Sequence, residues 1–126
     1  MTDAPPRNLL FVSAYSGLGG GESVQLNLMG ALDRRRWRLH LVCPRDGGLP
    51  DAARALGVMT HLIPYRGATA WFLPAIWTRF PVARRLAALA RAQGIHAIHS
   101  DYHSLPFAAA AARAAGVPVI WNAMGW

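Results

Sequence analysis

The sequence of 126 residues contains no lysine, so all thirteen of its basic residues are arginine, against only six acidic residues. The absence of lysine excludes a Walker-type phosphate loop, which requires a lysine to contact the nucleotide phosphates. A formal net charge of +7 would suit nucleic acid only if it were clustered on one face. Because the arginines are scattered, with one short run at residues 34–36, we expect no nucleic-acid binding.

Cysteine and long apolar runs are also scarce. Cys43 is the only cysteine, which excludes an internal disulfide and predicts a small buried side chain in a reducing compartment. No segment approaches the roughly 20 apolar residues of a membrane span, and the polar, proline-rich start is unlike a signal peptide. We therefore expect a cytoplasmic protein, with contact to the inner face of the membrane as an open alternative.

Short apolar runs rich in β-forming residues alternate with helical patterns along the whole chain. This alternation predicts an α/β fold, a Rossmann-like parallel sheet of about five strands with helices on both faces. Ligands of such sheets bind beyond the carboxyl ends of the strands. The predicted strands are 8–15, 38–43, 58–63, 95–100 and 117–122, and the predicted helices begin at Glu22 and span 50–56, 81–93 and 105–115.

Local signals also predict how the helices end and pack. Gly57, Gly94 and Gly116 follow three helical patterns and are predicted to end those helices, while Pro81 suits a first helical turn. The first helix has apolar residues on two sides, which predicts that it is covered twice. Its predicted faces consist of Val24, Leu28, Ala31 and Leu32 on one side and Leu26 and Met29 on the other.

The glycine-rich stretch SGLGGGES, residues 16–23, lies between the first strand and the first helix. A helix N-terminus presents unpaired amides and a partial positive charge, and glycines let an anion come close to them. The alternative is a merely tight turn, and Glu22 stands where a dinucleotide fingerprint would have its third glycine. The residues predicted to bind a donor phosphate are Gly19, Gly20, Gly21, Glu22 and Ser23.

The stretch GGGESVQLNLMGALDRRRWRLHLVCPRDGGLPDAARALGVMTHLIP resembles the opening of a family 4 glycosyltransferase, and IHAIHSDYHSLPFAAAAARAAGVPVIW is similar to a later part of that family. The resemblance covers residues 9–121. The glycines before Glu22 match a Gly-Gly-x-Glu signature, either as Gly20 and Gly21 or, with a shifted spacing, as Gly19 and Gly20. A turn that follows the second strand in the family is matched by Asp46, Gly48 and Leu49.

The resemblance implies half of a GT-B fold, in which two Rossmann-like domains face each other across a cleft. The first domain of such enzymes binds mainly the acceptor, and its glycine loop approaches the donor diphosphate held by the second. Residues 1–126 are then a single N-terminal domain, incomplete at its C-terminus, whose nucleotide-sugar-binding partner domain is missing. We expect no sugar transfer by this chain alone and no bound cofactor, with a nucleotide sugar as the implied co-substrate.

The candidate catalytic residues are His99, Asp101 and His103, which follow the fourth predicted strand. In many relatives a histidine after the last strand of this region faces the sugar, and the resemblance places Met124 there. The three candidates could instead hold an acceptor hydroxyl or be ordinary loop residues. Their spacing would also permit metal binding, but the resemblance implies no metal in this domain. Three further histidines lie in strand-like runs and are expected to be structural, namely His40, His61 and His96.

The aromatic, basic segment GATAWFLPAIWTRFP corresponds to a region that lines the acceptor side in the related enzymes. It would suit a sugar or a lipid-linked acceptor at a membrane surface, and the alternative is a core helix. The predicted acceptor-binding residues are Trp71, Phe72, Trp77, His103 and Asn122. Two other functions stay open: a phosphate- or nucleotide-binding module, and a non-catalytic interaction domain that forms a homodimer.

Overall fold

The computed structural model of the chain describes residues 4–65 and 73–121, apart from the side chains of 73–80. Strands and helices alternate through these two ranges. The strands are β1 (Arg7–Val12), β2 (Trp37–Cys43), β3 (Met59–Leu62), β4 (Ile95–Ser100) and β5 (Val119–Trp121), and the helices are α1 (Gly20–Ala31), α2 (Gly48–Ala55), α3 (Leu73–Ala92) and α4 (Leu105–Ala115).

The strands form one parallel sheet in the order β3-β2-β1-β4-β5. The first three strands extend the sheet in one direction from β1, and the chain then returns to add β4 and β5 on the other side. Every connection crosses over through a helix, as parallel pairing requires. The predicted Rossmann-like layer is confirmed, and its switch in strand order falls between β1 and β4.

Alternate residues of the central strands belong to two separate hydrophobic cores, one on each face of the sheet. On one face Phe11 packs with Met29 of α1 and with residues of α2, and on the other Leu10 packs with Leu86 of α3 and Phe107 of α4. All five side chains are fully buried. Burial of each contributes roughly 1.5–3 kcal/mol, so both helix layers are held firmly on the sheet.

Helix ends follow the glycine signals of the sequence. The three glycines of the described residues that have a positive φ are Gly57, Gly94 and Gly116, at 78°, 61° and 72°. Each follows a helix and adopts the left-handed conformation that glycine tolerates without strain. Cys43 is buried as predicted, and burial raises the pKa of its thiol to about 12.

The third helix begins earlier than the sequence predicts. Pro81 lies inside α3 rather than in its first turn, so the predicted start is wrong. A proline within a helix removes one backbone hydrogen bond without always ending the helix, and the buried residues that follow it, Val82, Ala83 and Leu86, hold α3 on the sheet. Among the described helices, none combines the length and apolar character that crossing a bilayer demands.

Helix α1 buries Met29, from one of its two predicted faces, together with a polar residue that the prediction left out. Its fully buried residues are Gln25 and Met29, while Val24 and Leu28 are half-buried and Ala31 is exposed. The two buried residues are four apart, so they share one face. Leu26, Leu28 and Leu32, which were also predicted to be covered, pack partly buried against the same core as Met29. Gln25 was left out because the prediction gave no weight to a polar residue in a core position.

Candidate functional site

A cleft of about 370 Å³ opens between the loops that follow β1 and β4. It therefore lies at the carboxyl edge of the sheet and at the switch in strand order, where open α/β sheets bind their ligands. Strand β1 leads into the glycine-rich loop and α1, while β4 leads into the loop before α4. The lining residues are Tyr15, Gly20, Gly21, Glu22, Val24, Gln25, His99, Ser100, Asp101, Tyr102 and His103.

The start of α1 presents bare backbone to this cleft. A Cβ atom at Gly20 or Gly21 would meet nothing within 4 Å. The first amides of a helix lack intrahelical acceptors, and no acceptor in the described part of the chain replaces them for Gly20, Gly21 and Glu22. The amide of Ser23 is different, because it donates to the Gly19 carbonyl at 3.0 Å. Of the five residues predicted to bind a phosphate, Ser23 therefore has an amide that is already engaged.

A carboxylate lies beside these amides. A Cβ atom at Gly19 would be 3.3 Å from Oε2 of Glu22, which places the Glu22 carboxylate over the glycine loop. An acidic group in the first turn stabilises the helix through its dipole. The same group opposes a second anion in that place. Any phosphate at the start of α1 would have to displace Glu22 or be shared with a cation.

The turn that follows β2 forms hydrogen bonds to the glycine-rich loop. The Ser16 carbonyl accepts a hydrogen bond from the amide of Leu49 at 2.9 Å, and the Ser16 hydroxyl accepts one from the amide of Arg45 at 3.3 Å. The backbones approach so closely that a Cβ atom at Gly47 would lie 2.5 Å from the Ser16 oxygen. The turn therefore fixes where the loop enters the cleft.

Asp101 joins the two sides of the cleft. Its Oδ2 accepts a hydrogen bond from the amide of Ala14 at 2.8 Å, and its Oδ1 accepts one from the amide of Ser104 at 2.7 Å. Its own amide donates to the carbonyl of Val12. Both carboxylate oxygens are thus engaged with backbone, so the geometry gives Asp101 a positioning role at the junction of β1, β4 and α4.

Two buried polar atoms beside the cleft have no partner among the described residues: Nδ1 of His99 and Oε1 of Gln25. The two residues are only 4% and 3% exposed. The Gln25 amide nitrogen donates a long hydrogen bond, 3.4 Å, to the carbonyl of Val12. Burial lowers the pKa of His99, so its imidazole is neutral at physiological pH.

Three aromatic rings, those of Tyr15, Tyr102 and His103, line part of the cleft. His103 meets Tyr15 edge-on, with ring centroids 5.2 Å apart, and meets Tyr102 edge-on at 5.5 Å. Tyr15 and Tyr102 remain 46% and 58% exposed, which leaves ring surface open to a ligand. Burial, with the nearby charges of Asp101 and Glu22, raises the pKa of Tyr15, so its hydroxyl stays protonated.

The structure brings together two groups that the sequence offered separately. Gly20, Gly21 and Glu22 line the same cleft as His99, Asp101 and His103, whereas Gly19 and Ser23 do not line it. The binding and catalytic roles of these residues stay predictions. Trp71, Phe72, Asn122 and Met124 lie outside the described residues, as does the side chain of Trp77.

Sequence reasoning missed Tyr15, Tyr102 and Gln25 as cleft residues. The available signal for Gln25 was its four-residue spacing from Met29, which marks a polar residue on a buried helix face. Across residues 4–65 and 73–121, no three His, Cys, Asp or Glu side chains converge as metal ligands.

The histidines of the neighbouring strands form a structural network, as predicted. Nε2 of His40 lies 3.2 Å from Oδ1 of Asn8, and its Nδ1 lies 3.3 Å from Nε2 of His61. The side-chain nitrogen Nδ2 of Asn8 donates a hydrogen bond to the Gly94 carbonyl. The side-chain oxygen Oδ1 of Asn8 therefore faces His40 and accepts a hydrogen bond from it. Nδ1 of His96 accepts a hydrogen bond from the backbone amide of Asn8. Burial, helped by His61 and Arg38, lowers the pKa of His40 to about 4.

Comparisons with known proteins give one family and a widely shared fold. A sequence model of glycosyltransferase family 4 matches residues 18–123, while no curated protein matches the chain. MurG of Acinetobacter baumannii superposes with a TM-score of 0.72 at 18% identity, over 96% of this chain and 37% of that one. HepE of Anabaena, solved with UDP and glucose, gives a TM-score of 0.61 at 14% identity, over 88% and 28%.

The fold also occurs outside glycosyltransferases. The C-terminal domain of a hydrogenase from Pyrococcus furiosus superposes with a TM-score of 0.65 at 10% identity, over 96% of both chains. At such identities these likenesses show the fold alone. The chain spans about a third of the length of MurG and HepE, 37% and 28%.

Proposed function

The chain belongs to glycosyltransferase family 4, and from this membership we propose that it is the acceptor-side domain of a nucleotide-sugar-dependent glycosyltransferase. The observation that carries the proposal is the cleft at the switch in strand order. There the glycine-rich start of α1 meets the polar and aromatic loop after β4. A pocket with aromatic walls and a few convergent polar groups is typical of small-ligand sites.

The chemistry of the lining supports the acceptor assignment. The described lining contains two carboxylates, Glu22 and Asp101, and no arginine. A departing nucleoside diphosphate needs compensating positive charge in the transition state. Such charge would have to come from a second Rossmann-like domain that holds the nucleotide sugar. We propose that sugar transfer requires that domain and that this chain alone is inactive.

The likeness to HepE, which was solved with UDP and glucose, makes UDP-glucose a reasonable first donor to test. Titration of the chain with UDP-glucose in a calorimeter should give a dissociation constant above about 1 mM, equivalent to less than about 4 kcal/mol of binding. No sugar should be transferred to saccharide acceptors. Addition of a nucleotide-sugar-binding domain from a family 4 enzyme should produce transfer or donor hydrolysis.

Other results would favour the alternatives. Micromolar binding of nucleotide by the chain alone would indicate a nucleotide-binding module, which the open amides of Gly20, Gly21 and Glu22 would serve. A dimer that forms with rising concentration in light scattering, without binding of nucleotide or saccharide, would indicate an interaction domain. Contact with a lipid-linked acceptor or a membrane surface through Trp71, Phe72 and Trp77 belongs to the same proposal and can be tested with anionic vesicles.

A further inference from the structure

The floor of the cleft contains two polar groups whose hydrogen-bonding capacity is unused. Oε1 of Gln25 and Nδ1 of His99 are both buried without a partner in the described part of the chain, and both residues line the same cleft. Leaving a buried polar atom unpaired is costly. Two such atoms, in residues that line one cleft, can be satisfied by a ligand bound there.

The identity of the two atoms limits the chemistry of that ligand. The amide oxygen of Gln25 is only an acceptor, so it requires a donor. The neutral imidazole of His99 offers either a donor or an acceptor at Nδ1, according to its tautomer. A hydroxyl group both donates and accepts, so it satisfies Gln25 together with either tautomer. A fully ionised diphosphate has no proton to donate and would leave Gln25 unpaired.

The charges around the cleft also disfavour an anion, through repulsion. The carboxylates of Glu22 and Asp101 line the cleft, and no arginine of the described residues lies among its lining. Each carboxylate would repel a second negative group held a few ångströms away. The rings of Tyr15 and Tyr102 instead offer the apolar faces on which a sugar ring can pack.

We propose that Gln25 and His99 form a subsite for neutral hydroxyl groups of a saccharide, and that this subsite disfavours anionic groups. The inference deepens the proposed function by naming the acceptor chemistry, and it rests on that function only in identifying the saccharide as the acceptor. Both atoms are buried in residues that line the cleft. The terminal torsion of glutamine has a broad energy profile, so the Gln25 amide can turn to meet the ligand.

The subsite can be tested by NMR on the whole chain without any donor. The signals of the Gln25 side-chain amide and of the His99 ring would be followed during titration with glucose, galactose, mannose and N-acetylglucosamine. Inorganic phosphate serves as the anionic probe. At least one neutral sugar should give saturable shifts at both residues, with a dissociation constant at least tenfold lower than that of phosphate. The proposal is overturned if none does, or if phosphate shifts both residues equally well.

Two substitutions separate a ligand role from a structural one. Gln25→Met and Gln25→Leu remove the acceptor while keeping a helix-forming side chain of similar size, and the Val12 carbonyl retains its bond from the Asp101 amide. Sugar binding should weaken at least tenfold in whichever variant folds, and the unfolding midpoint should not fall. The matched control is Asn27→Leu, a polar-to-apolar exchange on the exposed side of the same helix, which should leave binding unchanged.

The outcome is independent of the test of sugar transfer. If the Gln25 variants bind sugar as the unaltered chain does, the subsite is refuted even when transfer occurs with an added domain. If the sugars bind as expected but no transfer is obtained with any donor, the subsite stands and the proposed function fails. A change confined to the unfolding midpoint, with affinity unaltered, assigns Gln25 a structural role and overturns the proposal.

Discussion

Asp101 shows how one side chain can hold the two sides of a cleft in place. Both of its oxygens accept backbone amides, from Ala14 on one side of the cleft and Ser104 on the other. Hydrogen bonds to a charged acceptor contribute about 1.5–3 kcal/mol each. Asp101→Asn keeps the size of the side chain but replaces one acceptor with a donor that faces an amide. We expect the free energy of unfolding to fall by about 1–3 kcal/mol, measured by urea denaturation.

The control for this substitution is Asp51→Asn. Asp51 accepts a hydrogen bond from Arg54 at 3.2 Å, but its side chain is 74% exposed. Exposed ion pairs contribute at most about 1 kcal/mol, so the control should lose little stability. Equal losses in the two variants would contradict the positioning role of Asp101.

At the scale of elements, the loop after β1 and the turn before α2 are built as one unit around Gly47. Gly47→Ala would place a methyl group 2.5 Å from the Ser16 carbonyl oxygen, a contact that backbone movement must relieve. The φ of Gly47 is 166°, an extended value open to any residue, so the cost arises from the contact alone. Overpacking of this kind costs about 1–3 kcal/mol, which thermal or urea unfolding would detect.

Gly20→Ala is the paired control because the added methyl group would meet nothing within 4 Å. Alanine is a better helix former than glycine by up to about 1 kcal/mol, so this variant should be as stable as the unaltered chain or more so. If Gly47→Ala proved as stable as Gly20→Ala, the close packing of the two loops would be disproved.

The elements differ in how far the sequence predicts them, and the reason is physical. Gly57, Gly94 and Gly116 end helices because a left-handed residue is needed locally, and each was predicted from its neighbours alone. The start of α3 was not predicted correctly, because a proline is accepted in the first turn of a helix but can also occur in its interior. Only tertiary contacts distinguish those two cases.

Only part of the candidate site could be predicted from the sequence, because the rest depends on tertiary contacts. Parallel strands bring their carboxyl ends to one edge, so the convergence of Glu22 with His99 and Asp101 follows from the strand order. The sequence could not show that Asp101 is occupied by backbone amides or that α1 turns Gln25 towards the sheet. Both depend on loop geometry and on the rotation of a helix about its axis, which composition does not determine.

At the scale of the whole molecule, the excess positive charge of the chain is not found in the described lining of the cleft. The chain has a formal net charge of +7, yet the described lining of the cleft carries two carboxylates and no arginine. A site that handled a nucleotide diphosphate unaided would be expected to show the opposite distribution. The charge pattern therefore agrees with a division of labour in which this layer binds a neutral substrate and another domain binds the anion.

The network of His40, His61 and Asn8 makes the stability of the whole fold depend on pH. His40 donates through Nε2 to Asn8 and accepts at Nδ1 from His61. Protonation of His40 would place a second hydrogen between Nδ1 and the His61 donor, and Arg38 adds to the repulsion. The proton is therefore disfavoured in the folded state but accepted freely in the unfolded chain.

The sign of the pH effect follows from the two pKa values. In the folded state the pKa of His40 is about 4, lowered from an ordinary value of 6.5, so between these values the unfolded chain binds more protons. The contribution of His40 to the free energy of unfolding is complete well above pH 6.5 and is lost as the pH falls, by about 2 kcal/mol in total at pH 5. Urea denaturation across this range should show that loss, and His40→Gln should reduce it. A His40 ring that titrates near pH 6.5 in NMR spectra would contradict the network.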